Sequence, residues 1–186
     1  RIAVVYPADV QSRVRLFGLD GTPHGEIPLP EPGSVTGTSS GQGGLIARYD
    51  GDEIFLNFVS YLRPATIYRY DLKRGALEPF HPPQSPFDAS KYETRTLFYT
   101  SKDGTRVPLF VTLRKGTKLD GSHPTLLYGY GGFNISMVPN FSPAVAGWLE
   151  MGGVYAVANL RGGGEYGSEW HKAGTRERKQ NTFDDF

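Results

Sequence analysis

The fold is decided by Leu126-Leu127-Tyr128-Gly129-Tyr130-Gly131-Gly132-Phe133, a stretch that joins a short apolar run to a glycine-rich turn. Residues 124–128 predict a strand buried on both faces, which is typical of parallel sheets. Glycines directly after such a strand let the backbone approach a bound ligand closely. The stretch therefore predicts a functional loop at the carboxyl end of a sheet strand.

The residues on either side of this stretch alternate between strand and helix. Residues 154–160 form a second, almost entirely apolar run, and residues 143–151 have helical character that ends at Gly152-Gly153. Before them, residues 92–100 and 106–113 predict two long strands joined by a hairpin. Apolar strands separated by a helix indicate a parallel α/β sheet.

The first 80 residues follow a different pattern, in which short alternating strands are divided by turn residues. Residues 53–58 and 66–72 alternate apolar and polar side chains, and Asp20-Gly21 is a strong hairpin signal. Strands at this spacing, without a helical period, favour an antiparallel sandwich or propeller. Residues 16–21 and 68–73 end their strands alike, which favours the repeated blades of a propeller.

A proline-rich segment, His81-Pro82-Pro83-Gln84-Ser85-Pro86, divides the two patterns and is typical of a linker. We therefore predict a mixed fold. Antiparallel β-propeller blades at residues 1–80 are followed by the first part of an α/β domain at residues 81–186. A strand pattern begins at Arg1 and a capped helix begins at Thr182, so we expect the chain to be a segment of a longer protein.

The composition excludes several classes of function. Of 186 residues, 38% are hydrophobic and 21% are charged, which is typical of a folded globular domain. The net charge of +1 gives no basic excess of the kind that binds nucleic acid or a membrane surface. The absence of cysteine excludes disulfides, thiolate metal ligands and a cysteine nucleophile. No metal or other cofactor is expected.

Two further glycine-rich patterns match motifs without the structural context that those motifs need. Gly37-Thr38-Ser39-Ser40-Gly41 fits the G-x-S-x-G nucleophile elbow, but no helix follows it, so we interpret it as a turn. Gly162-Gly163-Gly164-Glu165-Tyr166-Gly167 fits G-x-G-x-x-G. The polar residues 177–181 cannot form the buried second strand of a dinucleotide fold, so we interpret this pattern as a wide turn after a strand.

Tyr130 is the candidate catalytic residue. In α/β-hydrolases the loop after an early strand donates one hydrogen bond to the oxyanion that forms during acyl transfer. The Tyr130 hydroxyl is suited to be that donor. From the residues alone, a packed aromatic ring in a glycine turn is an equal alternative.

Four motifs follow one another in the second half of the chain. They are Leu126-Leu127-Tyr128-Gly129-Tyr130-Gly131-Gly132-Phe133-Asn134-Ile135-Ser136, Ala158-Asn159-Leu160-Arg161-Gly162-Gly163-Gly164-Glu165-Tyr166-Gly167, Trp170-His171-Lys172 and Lys179-Gln180-Asn181-Thr182-Phe183-Asp184-Asp185-Phe186. In this order they closely resemble the prolyl oligopeptidase family of serine peptidases. Before residue 80 the resemblance is looser and includes Phe58-Val59-Ser60-Tyr61-Leu62-Arg63-Pro64, which is similar to a final propeller blade.

The resemblance implies a seven-bladed β-propeller that caps an α/β-hydrolase domain, with the active site between them. It implies a serine endopeptidase that hydrolyses short peptides on the carboxyl side of proline. The expected partners are therefore short proline-containing peptides and the remainder of the same protein. The resemblance assigns Tyr130 to the oxyanion hole and Phe133 to the wall of the proline pocket. It also implies that Arg161 ties loops together by hydrogen bonds.

The catalytic serine, acid and histidine of the family lie beyond the residue that matches Phe186, so the chain alone is expected to be inactive. We expect His171 to make a structural hydrogen bond rather than to act in catalysis. Asp184 and Asp185 are expected to cap the start of a helix, where the helix dipole favours carboxylates.

Other functions stay open at this point. The longer protein could be a propeller-capped oligopeptidase that cuts after basic residues, or a peptide macrocyclase. The chain alone could be a non-catalytic propeller fragment. Phe133 favours proline specificity, because its ring suits an apolar pocket. The location is unknown; the cytoplasm is favoured, with the periplasm and secretion as alternatives, and no nucleic-acid or membrane partner is expected.

Overall fold

The computed structural model describes residues 1–37 and 44–186. These residues form two compact units. The first unit contains Arg1–Pro86 and Pro139–Phe141, and the second contains Phe87–Val138 and Ser142–Phe186. Residues 38–41 of the G-x-S-x-G pattern lie outside the described residues, so the interpretation of that pattern as a turn stays a prediction.

The strands described in the first unit all pair antiparallel. They are β1 (Ile2–Ala8), β2 (Gln11–Phe17), β3 (Pro23–Ile27), β4 (Gly33–Val35), β5 (Leu45–Ala47), β6 (Glu53–Ser60), β7 (Thr66–Asp71) and β8 (Ala76–His81). One sheet has the order β1-β2-β3. The other has the order β4-β6-β7-β8, and β5 also pairs with β6.

Buried residues of both sheets of this unit form one apolar cluster. Leu56 and Phe58 of β6 and Tyr68 of β7 alternate with more exposed residues and are buried, and Val14 of β2 belongs to the same cluster. The Phe58 and Tyr68 rings meet edge to face, with their centroids 5.9 Å apart. The alternation predicted at residues 53–58 and 66–72 is confirmed, because each strand turns its apolar face to this core.

The second unit combines one sheet with short helices. Its elements are β9 (Tyr92–Thr100), β10 (Arg106–Arg114), β11 (Thr125–Gly129), α1 (Pro143–Glu150), β12 (Val154–Ala158), α2 (Ser168–Lys172) and α3 (Gln180–Asp185). The sheet order is β11-β12-β10-β9. None of the helices in the described part of the chain is long and apolar enough to span a membrane.

Helix α1 connects β11 to β12, as the pattern at residues 143–151 predicted. Pro143 opens the helix, where its missing N–H group is not needed for an intrahelical bond. Gly152 follows the helix with a φ of 90°, which glycine adopts without steric cost. Trp148 Nε1 donates to the Val154 carbonyl oxygen at 2.9 Å and so fixes α1 against β12.

The sheet of the second unit differs from the prediction in two ways. Only β11 and β12 pair in parallel, because β9 and β10 form a hairpin that joins β12 antiparallel. The predicted burial of β11 on both faces is also wrong: Leu126 is 47% exposed. Among the described residues, β11 lies at the sheet edge with β12 as its neighbour, and its alternate side chains remain open to solvent.

Substitution of Phe58 by alanine tests the core of the first unit. Phe58→Ala removes a fully buried ring, so we expect it to lower the free energy of unfolding by roughly 3–5 kcal/mol. Leu19→Ala is the control, because Leu19 is 73% exposed and its loss should change stability by less than about 0.5 kcal/mol. Calorimetric unfolding of both variants measures the difference, and equal melting temperatures would contradict this packing.

Candidate active site

The loop after β11, at residues 129–134 and called here the Tyr130 loop, has a strained backbone. Gly131, Phe133 and Asn134 have φ values of 60°, 53° and 57°. Glycine adopts this left-handed region easily, whereas a phenylalanine there is held by its surroundings at an energetic cost. Residues held in this way cluster at binding and catalytic sites. The backbone itself therefore marks this loop as a candidate site.

The two residues assigned from the sequence lie together on the Tyr130 loop. Phe133 is 83% exposed and Tyr130 is 42% exposed. The Tyr130 ring lies beside Gly132, where a Cβ atom would be 3.7 Å from Tyr130 Cε1. Core packing does not explain an exposed phenylalanine on a strained backbone. Both rings are thus available for contact with a ligand.

A cavity of about 980 Å³ opens beside Phe133. Gly132 and Phe133 line it together with residues between His171 and Lys179. This volume is in the range of small-molecule and peptide sites. Within residues 1–37 and 44–186, no group of three or more histidine, aspartate or glutamate side chains is placed to hold a metal ion.

The Tyr130 loop rests on the segment that follows β12. A Cβ atom at Gly131 would lie 2.8 Å from Leu160 Cβ and 3.0 Å from the Arg161 carbonyl oxygen, so the contact requires glycine. Asn134 N donates to the Gly162 carbonyl oxygen at 3.2 Å. Thr182 Oγ1 of α3 donates to the Arg161 carbonyl oxygen at 2.7 Å. The position of the loop therefore depends on where residues 160–162 lie.

A buried ion pair holds that segment in place. The Asp185 carboxylate accepts from Arg161 N at 3.0 Å and from Arg161 Nη2 at 2.6 Å. Ser101 Oγ also donates to Asp185 at 2.6 Å, and Arg161 Nη1 contacts Asp103 at 2.6 Å. We call Ser101, Asp103, Arg161 and Asp185 the anchor cluster. It joins the β9–β10 hairpin, the segment after β12 and the end of α3.

The electrostatics of the anchor cluster follow from these contacts. Hydrogen bonding to Asp185 raises the pKa of Arg161 despite the opposing effect of burial, so the guanidinium stays charged. The hydrogen bond from Arg161 lowers the pKa of Asp103. Burial, with the nearby Asp185 charge, raises the pKa of Tyr99 to about 12, and its hydroxyl donates to the Asp185 carbonyl oxygen.

Two predictions about these residues have opposite outcomes. The expectation that Arg161 ties loops together is confirmed by its bonds to Asp103 and Asp185. The expectation that Asp184 and Asp185 cap a helix start is wrong, because α3 begins at Gln180 and ends at Asp185. Asp185 is 1% exposed and serves as the counter-charge of Arg161. In the sequence, an arginine directly after the apolar run at residues 154–160 is a signal for such a partner, because a charge at the end of a buried strand needs a counter-charge.

The Gly162–Gly167 pattern forms a turn, as the sequence indicated. It leads into the five-residue helix α2 and then into a 3₁₀ turn at Arg176–Arg178, rather than into a second strand. His171 Nδ1 lies 2.7 Å from the Gly162 carbonyl oxygen, so the expected structural hydrogen bond of His171 is confirmed. The arrangement lacks the strand that a dinucleotide fold places at this point of the chain.

Glu165 is a buried carboxyl group that sequence reasoning did not single out. Its Oε1 accepts from Met137 N at 2.9 Å and lies 3.5 Å from Asn159 Nδ2. Among the described residues, Glu165 Oε2 and Asn159 Oδ1 have no hydrogen-bond partner. Burial raises the pKa of Glu165, since the charged form loses its hydration. Burial thus favours the neutral form of this carboxyl group more than solvent exposure would, against the opposing hydrogen bonds from Met137 and Asn159.

Substitution of Asp185 by asparagine tests the anchor cluster. Asp185→Asn leaves the Arg161 guanidinium buried without its counter-charge, so we expect a loss of about 3–5 kcal/mol in the free energy of unfolding. Asp184→Asn is the matched control, because Asp184 bonds only to Gln180 at the helix surface among the contacts described. Thermal unfolding of the two variants in the protein that carries this chain measures the difference. Equal melting temperatures would refute the anchoring role.

Substitution of Glu165 by glutamine tests the buried carboxyl group. The pKa of Glu165 is higher in the folded than in the unfolded state, so its contribution to stability is complete below its ordinary pKa. That contribution is lost as the pH rises through the folded-state pKa. Glu165→Gln stays neutral, so we expect its melting temperature relative to the wild type to rise over this pH range. A relative melting temperature that falls with pH would contradict the raised pKa of Glu165.

Glu169 is exposed and provides a control in which the pKa shift has the opposite direction. Its hydrogen bond and ion pair with Lys172 lower its pKa, so its small contribution is present at neutral pH and lost as the pH falls through the folded-state pKa. Glu169→Gln should therefore lower the melting temperature slightly near neutral pH and have no effect in acid. A melting series from acid to neutral pH on both variants separates the two cases.

Two models of known families match the chain. The model described as "Prolyl oligopeptidase, N-terminal beta-propeller domain" matches residues 1–83, and the model described as "Prolyl oligopeptidase family" matches residues 139–186. Together they cover well over half of the chain. The matches confirm the predicted fold class, in which antiparallel propeller blades precede the first part of an α/β-hydrolase domain.

Similar proteins point to the same family. The chain is 44% identical to a prolyl endopeptidase of Elizabethkingia miricola over 181 residues, which are 97% of this chain and 25% of the relative. A solved structure from a mechanistic study of two prolyl endopeptidases has a TM-score of 0.89 at 44% identity, covering 99% of this chain and 26% of that one.

Prolyl oligopeptidase B from Galerina marginata, solved with a 25-residue macrocyclization substrate, has a TM-score of 0.82 at 34% identity. The match covers 98% of this chain and 25% of the chain in that structure. The chain thus spans about a quarter of the length of the curated relatives that it matches. The motifs, the fold and these matches agree, and the chain belongs to the prolyl oligopeptidase family.

Proposed function

We propose that the protein carrying this chain is a serine endopeptidase that hydrolyses short peptides on the carboxyl side of proline. The proposal rests on the presence of Tyr130 and Phe133 on one strained loop. Residues 160–162 pack against the glycines of this loop. Family membership supplies the reaction class. Relatives named prolyl endopeptidases support the preference for proline.

In this proposal Tyr130 stabilises the oxyanion of the tetrahedral intermediate. When a serine attacks the scissile carbonyl, negative charge develops on its oxygen, and a hydroxyl donor about 2.7–3.1 Å away lowers the barrier. Such a donor is effective only if it is already oriented, because reorganisation during the reaction would cost the stabilisation gained. The close contact of Gly131 with Leu160 supports this preorganisation.

Phe133 is proposed to form a wall of the proline pocket. A pyrrolidine ring has no N–H group to satisfy once it is in a peptide, so an apolar aromatic face suits it. The Phe133 ring is exposed beside a cavity large enough for a peptide segment. The ring is not packed in the core of its own unit and is therefore free to contact a substrate.

We also propose how the chain divides and what the rest of the protein supplies. Residues 1–80 would contribute the last blades of the propeller, and residues 81–186 the beginning of the hydrolase domain. The serine, acid and histidine would come from beyond Phe186. The chain alone would then have no serine that a phosphonate titrates, and stoichiometric labelling of the isolated chain with loss of peptidase activity would refute this division.

A peptide macrocyclase is the second candidate. The similar structure of prolyl oligopeptidase B is described as bound to a macrocyclization substrate. Hydrolysis and macrocyclisation share the acyl-enzyme step and the oxyanion, and differ in whether water or the amine of the peptide attacks the ester. The proposed roles of Tyr130 and Phe133 hold for both reactions, so a product analysis by mass spectrometry distinguishes them.

Substitution of Tyr130 by phenylalanine tests the proposed function. Tyr130→Phe removes the donor and keeps the ring, so we expect kcat on a proline-containing peptide to fall roughly 10²–10³-fold with little change in KM. Tyr49→Phe is the matched control, because Tyr49 is 99% exposed and lies in the first unit. Steady-state kinetics on the full-length protein measure both.

An unchanged kcat for Tyr130→Phe would remove the oxyanion role. Equal turnover of proline and arginine peptides by the wild-type protein would remove the proline preference and favour an oligopeptidase of other specificity.

A further inference from the structure

Lys179 makes a direct contact with the Tyr130 loop. Its Nζ donates to the Gly131 carbonyl oxygen at 2.6 Å and to Thr182 Oγ1 at 3.3 Å. The same ammonium group lies 5.7 Å from the centroid of the Phe183 ring. Lys179 is half-buried, which distinguishes it from the exposed Arg176 and Arg178 of the preceding turn. It belongs to the second unit, as does the whole loop.

Lys179 contacts the loop at a point where the loop sequence itself restrains the backbone least. Gly131 and Gly132 follow Tyr130 directly, and neither has a side chain that limits its backbone angles. Van der Waals contact with Leu160 restrains one side of Gly131. A charge-assisted hydrogen bond to the Gly131 carbonyl oxygen fixes the orientation of the next peptide unit. The position of the Tyr130 side chain is thereby coupled to Lys179.

Lys179 is in turn linked to the anchor cluster. It precedes α3, whose Thr182 hydroxyl donates to the Arg161 carbonyl oxygen and whose last residue, Asp185, pairs with Arg161. Both ends of α3 are therefore tied to the support of the loop. The loop is held by packing from Leu160, by the hydrogen bond from Asn134 N to the Gly162 carbonyl oxygen and by hydrogen bonding from Lys179.

We propose that Lys179 is a positioning residue for Tyr130, which holds the phenol at the oxyanion site through the Gly131 carbonyl group. This inference rests on the proposed function of Tyr130. The ammonium group does not itself contact the reacting atoms in this account. It acts by holding the backbone next to the donor, and an error of about 1 Å in such a position can cost roughly 10²-fold in rate.

A double-mutant cycle in the full-length protein tests the proposal. Lys179→Met keeps the length of the side chain and removes the donor, so we expect kcat to fall about 10–100-fold with KM nearly unchanged. In the Tyr130→Phe background the same substitution should change kcat by less than ~2-fold, because the hydroxyl that Lys179 positions is absent. Lys179→Arg keeps a charged donor and should retain more of kcat than Lys179→Met.

Three other results of this cycle would overturn the proposal, and they can be told apart. Equal losses of kcat in both backgrounds would mean that Lys179 has a general structural role. No loss in the wild-type background would mean that the contact is dispensable. If Tyr130→Phe alone leaves kcat unchanged, the oxyanion role and this inference fail together, whereas the first two results leave the oxyanion role intact.

Thermal unfolding separates positioning from misfolding. Lys118→Met is the control for loss of a positive charge, because Lys118 is exposed in the second unit. A fully folded Lys179→Met protein with wild-type kcat contradicts the proposal. If Lys179→Met does not fold, the cycle is run with Lys179→Gln, and equal losses of kcat in the two backgrounds again refute a positioning role.

Discussion

The buried contact between Arg161 and Asp185 is the interaction on which the second unit depends. Two charged groups removed from water are costly unless their hydrogen-bonding capacity is filled. Here the Asp185 carboxylate receives hydrogen bonds from the Arg161 backbone, the Arg161 guanidinium and Ser101. Well-packed apolar residues can often replace a buried ion pair without lowering the free energy of unfolding. Such a pair therefore matters more for the geometry that it imposes than for stability. It allows one arrangement of three segments that are distant in the sequence.

The arrangement of the Tyr130 loop follows from that constraint. Arg161 fixes residues 160–162, and the glycines of the loop pack on them at distances that no side chain would permit. Phe133 is thereby held in a left-handed conformation that is unfavourable for its side chain, beside Asn134, which tolerates that conformation. The contacts at Gly131 and Asn134 therefore restrain the loop beside Tyr130, while the Phe133 ring remains exposed to solvent. A rigid support beneath exposed functional groups is what electrostatic preorganisation requires.

The sequence predicts the parts of this structure that depend on local patterns. Alternation at residues 53–58 and 66–72 identifies strands because period two is a local property, and the helix at 143–151 ends at a glycine as expected. The Asp185 contact is not predictable in this way, since Asp185 is 24 residues from Arg161 and 84 from Ser101. The exposure of β11 was missed for a similar reason, because an apolar run does not reveal which neighbours cover it. Tyr130 and Phe133 were found through family motifs rather than through physical pattern alone.

We propose that the Tyr130 hydroxyl is the side-chain donor to the oxyanion. A crystal structure of the full-length protein with a peptide aldehyde that ends in proline would show which donors surround the oxyanion, because the serine hemiacetal oxygen occupies that position. We expect Tyr130 Oη within about 2.7–3.1 Å of that oxygen, with the Gly131 carbonyl group still bonded to Lys179. An oxygen that is bound by other donors, with Tyr130 Oη beyond hydrogen-bonding distance, would contradict it.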